Sequence, residues 1–196
     1  MRVRKAVKDD AEAVTALLYE SSPEIYDRFA GNRERAMRIL AEAFAEPGNV
    51  ASSEVAWLAE ADGRTVAAMA AFPIAEGPER GRAFTRLALR RVPFWLWGRA
   101  LRLYTAGTRS PRDESLYIDA LATDAGYRRR GAATALLDEA DRQAREHGLR
   151  AVALDTTIDN SVARAFYAGA GFDEIAYRAA SRSLPGFVAL VRPVGR

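Results

Sequence analysis

The stretch that decides the fold is Leu116-Tyr-Ile-Asp-Ala-Leu-Ala-Thr-Asp-Ala-Gly-Tyr-Arg-Arg-Arg-Gly-Ala-Ala-Thr-Ala-Leu-Leu-Asp-Glu-Ala140. Leu116 to Thr123 is apolar apart from Asp119, which is the composition of a strand covered on both faces. Carboxylates are rarely buried without a partner, so Asp119 stands out. After Arg128, Arg129, Arg130 and Gly131 the period changes to that of a helix, with Ala133, Leu136, Leu137, Ala140 and Ala144 along one face. The arginine turn is therefore the N-terminus of a helix that follows a strand.

The first N–H groups of any helix lack internal partners, and the aligned peptide dipoles place roughly half a positive charge there. Such an end suits a phosphate. Gly131 lets an anion approach the main chain without a Cβ in the way, Ala132 and Ala133 keep the next positions small, and three arginines add fixed charge. Two readings follow from these residues alone: a pyrophosphate cradle, or a solvated basic turn that starts an amphipathic helix.

The spacing Arg128-x-x-Gly131-x-Ala133 resembles the Q/R-x-x-G-x-G/A signature of the GNAT superfamily of acyl-CoA-dependent N-acyltransferases. Downstream, Asn160-Ser-Val-Ala163-Arg-Ala-Phe166-Tyr167-Ala-Gly-Ala-Gly171-Phe172 is similar to that family's N-x-x-A-x-x-x-Y-x-x-x-G-F segment. The resemblance runs from Leu116 to about Ala176. It departs at Thr123, where the family often has valine, and at Ala125, where it often has proline.

The resemblance implies that acetyl-CoA is the co-substrate, with its pyrophosphate held by Arg128, Arg129, Arg130, Gly131, Ala132, Ala133 and Thr134. It implies pantetheine contacts at Leu121, Ala122 and Thr123, with Asn160 and Phe166 beside the coenzyme. It further implies that the strand splays from its neighbour near Leu121, freeing N–H groups for the thioester carbonyl. Tyr167 matches the family tyrosine whose hydroxyl faces the coenzyme sulfur; the other reading of it is an aromatic core residue beside Phe166.

Direct transfer of an acetyl group from a thioester to an amine requires three things: a proton removed from the amine, a polarised carbonyl, and a proton for the departing thiolate. An alkyl ammonium with a pKa near 10.4 sits about 3 units above neutrality, about 4 kcal/mol, so a base or a dewatered pocket matters. Tyr167 is the expected acid. Asp119 is the expected base or amine anchor, because strict strand alternation puts it on the face of Tyr117 and Leu121, where an amine would approach. It could instead pair with an arginine, and ordered water could serve as the base. The helices after the first strand line the acceptor pocket in the family, so Tyr26 and Phe29 join Tyr117 and Asp119 as expected substrate contacts, against a competing reading as core.

Composition bounds the rest. At 196 residues and 49% hydrophobic, the chain has core enough for one domain spanning residues 1–196. There is no cysteine, which excludes disulfides and thiolate chemistry, and a single histidine cannot build a metal cluster or a Ser/His/Asp relay. No metal is expected, and His147, just before Gly148, reads as a helix C-terminal cation. The N-terminal MRVRKAVKDD lacks the apolar run of a signal peptide and no apolar stretch nears 18 residues, so a cytoplasmic protein without a membrane span is expected. A sequence pI near 9.4 raises nucleic-acid binding, but the net charge is only +3 and no recognition motif accompanies it.

In chain order, strands are expected at 2–7, 55–60, 65–72, 116–123, 150–157, 172–177 and 187–191. Helices are expected from about 9, at 25–29, 33–46 and 131–147, and after Asn160. Asp62-Gly63 favours a tight hairpin, Asn32 and Asn160 read as helix caps, and Asp9-Asp-Ala-Glu12 imitates a capping box. The expectation is an α/β (α+β) GNAT fold with a mixed central sheet of about seven strands flanked by helices.

A helical insert at about 77–112, between the third and fourth strands, departs from the minimal pattern. From Arg80 to Arg112 nine arginines stand without one acid, so the segment carries +9 and the remainder −6. Phe84, Leu87, Leu89, Val92, Phe94, Trp95, Leu96, Trp97, Leu101, Leu103 and Tyr104 make it a helix-compatible apolar stretch around Pro93. It reads as a helical hairpin on the core, a mobile lid over the acceptor site, a self-association surface giving a homodimer, or a membrane-surface helix. It is expected to border the acceptor side of the cleft, because it enters the signature strand immediately upstream of Asp119.

The function expected is acetyl transfer from acetyl-CoA to a primary amine in a ternary complex, the acceptor being a small molecule. The alternatives are a catalytically silent acyl-CoA-binding module and a protein or peptide N-acetyltransferase.

Overall fold

The computed structural model describes residues 1–98, 114–180 and 185–195. Seven strands form one mixed sheet in the order β1-β2-β3-β4-β5-β7-β6: β1 (Arg2–Lys5), β2 (Ala56–Ala61), β3 (Arg64–Pro73), β4 (Ser115–Thr123), β5 (Ala151–Thr157), β6 (Asp173–Arg178) and β7 (Phe187–Pro193). The described helices are α1 (Ala11–Ser21), α2 (Pro23–Ala30), α3 (Arg33–Ala45), α4 (Gly77–Leu89), α5 (Ala132–Glu146) and α6 (Ser161–Gly169). All pairings are antiparallel except β4 with β5, where α5 makes the crossover.

Each junction has a local cause. Asp62 and Gly63 both take positive φ, 52° and 71°, the conformation of a type I′ hairpin whose twist matches its strands. The Asn32 side chain accepts from the Arg35 N–H at 2.9 Å and Asn160 from that of Ala163 at 3.1 Å, so both asparagines cap as their residue type predicts. The expected box at Asp9 is replaced: Asp10 reaches back to the Val7 N–H at 2.8 Å and forks onto Arg4, across a short 3-10 turn ahead of α1. His147 caps α5, its Nδ1 lying 2.8 Å from the carbonyl of Gln143.

The sheet buries a separate apolar layer on each face. On one side α1, α3 and α4 pack over Leu58, Ala68, Ala70, Phe72 and Ala120, with Phe44, Leu40 and Ile39 fully enclosed. On the other, Leu136, Leu137 and Ala140 of α5 pack over Met69, Leu116, Ile118, Val152 and Leu154. At about 25 cal/mol per Å² these layers supply the main driving force, and the alternation of β3 and β4 between them fixes the register.

Between β3 and β4 that alternation breaks at Asp119. β3 and β4 pair Ala71 with Ile118 and Ala70 with Ala120, leaving Asp119 as the extra residue of a bulge. The bulge shifts the phase, so Asp119, Tyr117 and Leu121 do not share a face as strict alternation predicts. Tyr117 packs into the layer under α1 and α3, and Leu121 into the layer under α5.

Within the insert, α4 lies on the core: Phe84 meets Phe29 at 5.7 Å between ring centroids, and Leu87, Ala88 and Val92 are buried. Pro93 disfavours helical backbone in the residue before it, and the helix stops at Leu89. Phe94–Leu96 forms a 3-10 turn, and Leu101, Leu103 and Tyr104 lie outside the described residues.

Candidate active site

β4 and β5 run parallel from Ser115 beside Ala151 to Ile118 beside Leu154, and there the pairing ends. Beyond that point β4 keeps β3 but, among the described residues, has no strand partner on its other edge. Asp124 donates to Val66 of β3 at 2.8 Å, and successive N–H groups along a strand point to opposite edges, so those of Leu121 and Thr123 face the open side. The fork opens into a cleft of about 460 Å³, walled by Ser21 to Ile25 and Arg28 on one side and Thr156, Thr157, Asn160 and Ala163 on the other.

Asp119 and Tyr167 both line this cleft. Among the described residues nothing hydrogen-bonds or ion-pairs with the Asp119 carboxyl. Enclosure by protein, followed by the negative charge of Asp155, pushes its pKa up to about 7. The residue is nonetheless exposed to the cleft's water. Solvent tempers the shift while the cleft is open, and a ligand that expels the water lets the enclosure act in full.

Tyr167, 7% exposed, is wedged between Phe166 and Phe172 at 5.2 and 5.4 Å between centroids. Burial lifts its phenol above the ordinary range, which disfavours the phenolate. Among the described residues its hydroxyl has no hydrogen-bond partner, which leaves it free to donate into the cleft.

The arginine turn follows β4 directly. Gly131 is the N-cap of α5 at φ 85°, a left-handed conformation that L side chains resist; a Cβ there would meet nothing, so the backbone, not crowding, requires glycine. Arg129 also stands at φ 60°. The first bond of α5 runs from the Ala135 N–H to the Gly131 carbonyl, so the N–H groups of Ala132, Ala133 and Thr134 have no helical partner. Arg128, Arg129 and Arg130 are exposed; Arg130 lies over the Tyr127 ring at 5.2 Å, and Arg128 Nε donates to the Thr123 carbonyl at 3.4 Å. Backbone donors, a helix N-terminus and three guanidinium groups together fit a pyrophosphate.

Asn160 spends its side-chain oxygen on its cap and still lines the cleft, whereas Phe166 packs beside Tyr167. Three other expected residues lie off the cleft lining. Phe29 is buried in the core against Phe84. Tyr26 packs on Tyr19 at 6.1 Å, with its phenol raised by burial and then by the charge of Asp119. Tyr117 donates to Asp155 Oδ2 at 3.2 Å, and burial and the charges of Asp155 and Asp119 raise its phenol too.

Residue-level reading missed Asp155, Glu24, Arg28 and Asp159, all on the cleft wall. Asp155 had a signal, because it is the lone carboxylate ending the apolar run Ala151–Leu154, as Asp119 is in β4. Glu24, Arg28 and Asp159 look like any solvated helix or loop position. Among the described residues no group of three or more His, Cys, Asp or Glu is placed to hold a metal ion, and no helix is long and apolar enough to cross a membrane.

The sequence profile of the acetyltransferase (GNAT) family matches residues 15–172. A search of curated proteins gives no match. Among solved structures, an acetyltransferase shares 20% identity over 100% of both chains with a TM-score of 0.74. An N-acetyltransferase from Staphylococcus aureus Mu50 shares 17% identity over 97% of this chain and 100% of its own, also at 0.74. The apo form of an agmatine N-acetyltransferase mutant shares 18% over 98% of both chains at 0.63. At these identities the structural likeness carries the fold alone, while the profile spans most of the sequence and includes both the arginine turn and Tyr167. The chain belongs to the GNAT acetyltransferase family.

Proposed function

We propose that this chain moves an acetyl group from acetyl-CoA to a primary amine by direct attack within one ternary complex, with a small molecule as acceptor. The observation that carries the reading is the meeting of Asp119 and Tyr167 on one cleft, at the point where β4 leaves β5. The N–H groups of Ala132, Ala133 and Thr134, with Arg128 to Arg130, hold the pyrophosphate. The open edge at Leu121 to Thr123 takes the pantetheine arm, beside Asn160.

Asp119 accepts a proton from the acceptor's ammonium, directly or through one water, and frees the nitrogen lone pair. Nitrogen attacks the thioester carbon, and the N–H of Leu121 stabilises the oxyanion that forms. The C–S bond then breaks with its electron pair on sulfur, Tyr167 supplies the proton that makes the free thiol, and the second proton leaving nitrogen passes through the cleft's water to restore the phenol. A phenol carries its proton at pH 7 in any case, and burial of Tyr167 disfavours the phenolate further, so the proton is given up only to the strongly basic thiolate as it forms. A cleft of about 460 Å³ lies in the range of small-ligand sites, which favours a small acceptor over a folded protein.

The test is thiol release from acetyl-CoA with a panel of amines, amino acids and peptides, followed by mass spectrometry of products. A product heavier by one acetyl group supports the reading. Acetyl-CoA binding without turnover of any acceptor would make the chain a silent acyl-CoA-binding module instead.

A further inference from the structure

The wall of the cleft carries a charge opposite to that of the protein. The chain is +3 overall, yet the described cleft lining holds four carboxylates, Glu24, Asp119, Asp155 and Asp159, and one guanidinium, Arg28. The acids come from α2, β4, β5 and the loop before α6, so no single helix face or local sequence run accounts for the cluster. Concave surroundings focus such a field and raise the local concentration of cations. A second observation marks the same space as a ligand site: Tyr167 is 7% exposed, lines the cleft, and among the described residues has no partner for its hydroxyl.

One ammonium does not account for four acids. The reacting amine gives its proton to Asp119, which neutralises that pair, and Glu24, Asp155 and Asp159 still line the cleft beside Arg28. Asp155 accepts a hydrogen bond from Tyr117 at 3.2 Å, which orients it. Glu24 stands in the first turn of α2 and Asp159 in the loop before α6, and both line the cleft. An acceptor with a carboxylate beside its amine would face more acids than bases along the described lining, with Arg28 the guanidinium among them.

Resting on the transferase reading above, we infer that the acceptor is a small polycation, a diamine or longer polyamine, whose reacting amine sits at Asp119 while a second ammonium is held between Glu24 and Asp159. The distal ammonium keeps its proton throughout, because the carboxylates on either side favour the charged form. It therefore contributes to binding in the ground state and transition state alike, and its loss appears in KM more than in kcat.

The experiment compares 1,4-diaminobutane and spermidine with butylamine, a monoamine of matched length, and with lysine-containing peptides and free amino acids. Turnover is followed by thiol release, and binding to the protein saturated with coenzyme A by calorimetry. The diamines should show a KM at least about tenfold below that of butylamine, and the difference should shrink as salt rises. Glu24→Gln and Asp159→Asn should each erode the diamine preference. Equal KM for butylamine and diaminobutane, preference for amino acids or peptides, or a preference untouched in both variants would overturn the inference. Diamine binding without turnover would sink the transferase reading and leave the polycation site standing, whereas turnover of monoamines alone would do the reverse.

Discussion

Asp119 and Asp155 are the first residues of β4 and β5 beyond the last paired positions, Ile118 and Leu154, and they stand on the two prongs of the fork. Their coupling fixes a pH dependence. The charge of Asp155 adds to enclosure in raising Asp119 to about 7, so the basic form of Asp119 accumulates as pH rises through that value. The expected kcat/KM therefore climbs through about pH 7, and Asp155→Asn should move that limb to lower pH. Asp119→Asn should abolish the limb and lower kcat/KM about tenfold or more. An unaltered pH profile in Asp119→Asn, measured across several acceptors, would leave the base to ordered water.

The same shift bears on stability. Unfolded, Asp119 titrates near the usual value of about 3.9, and folded it titrates higher, so between the two the native state binds the extra proton. Stability should fall as pH rises from about 4 through 7, with solvent in the open cleft softening the effect. Asp119→Asn should flatten that slope and raise the melting temperature at pH 8 relative to wild type, read by thermal melts at several pH values.

Tyr167→Phe removes one hydroxyl and keeps the ring stack on Phe166 and Phe172. Because that hydroxyl has no protein partner among the described residues, its loss leaves no buried group unsatisfied, and the fold should be unaffected. The expected change is a kcat lower by about tenfold or more with little change in coenzyme affinity. A leaving thiol of lower pKa should lessen the defect, and an undiminished kcat would remove the acid role.

The sheet was legible because its signals are local. Asp62-Gly63 dictates a left-handed pair, Asn32 and Asn160 cap their helices, and period changes mark β4 against α5. Asp119 was found because a carboxylate in an apolar strand is conspicuous. That Tyr117 and Leu121 do not share a face was not readable, because a bulge leaves no mark in a sequence of alternating alanines: Ala70, Ala71 and Ala120 would pair equally well in either phase. The acidic wall was hidden for a different reason. Glu24 and Asp159 acquire meaning only when α2 and the loop before α6 are folded onto the same cleft, far apart as they are in the chain.

Phe94, Trp95 and Trp97 are 74%, 70% and 43% exposed, an unusual concentration of aromatic surface in one turn. None of them lines the cleft described here. Trp97 donates its Nε1–H to the Val92 carbonyl at 2.9 Å and Leu96 packs on the core, while Phe94 and Trp95 meet edge to face at 5.2 Å on the surface. If the insert serves self-association, Trp95→Ala with Trp97→Ala should lower the solution mass by sedimentation; if it borders the acceptor site, the KM for the amine should rise. The first outcome is expected from the geometry. A variant with neither changed would reduce the turn to ordinary surface.

The arginine turn allows two substitutions at one residue to separate backbone strain from anion contact. Gly131 stands at φ 85° with no atom within 4 Å of where a Cβ would be, so Gly131→Ala adds no clash within the protein and costs only the left-handed conformation, about 1 kcal/mol. That is a few degrees in melting temperature for a chain of this size. Gly131→Glu carries the same strain and adds a carboxylate at the helix N-terminus, where it occupies the position of the phosphate and satisfies the free N–H groups itself. Its melting temperature should match or exceed that of the alanine variant, since a negative charge is favourable at that end of a helix. Acetyl-CoA affinity should order as wild type, then alanine, then glutamate, with binding by the last undetectable in calorimetry while its circular dichroism stays native. Glutamate and alanine variants that bind equally well would mean that the coenzyme's phosphates lie elsewhere, and that Gly131 serves only to start α5.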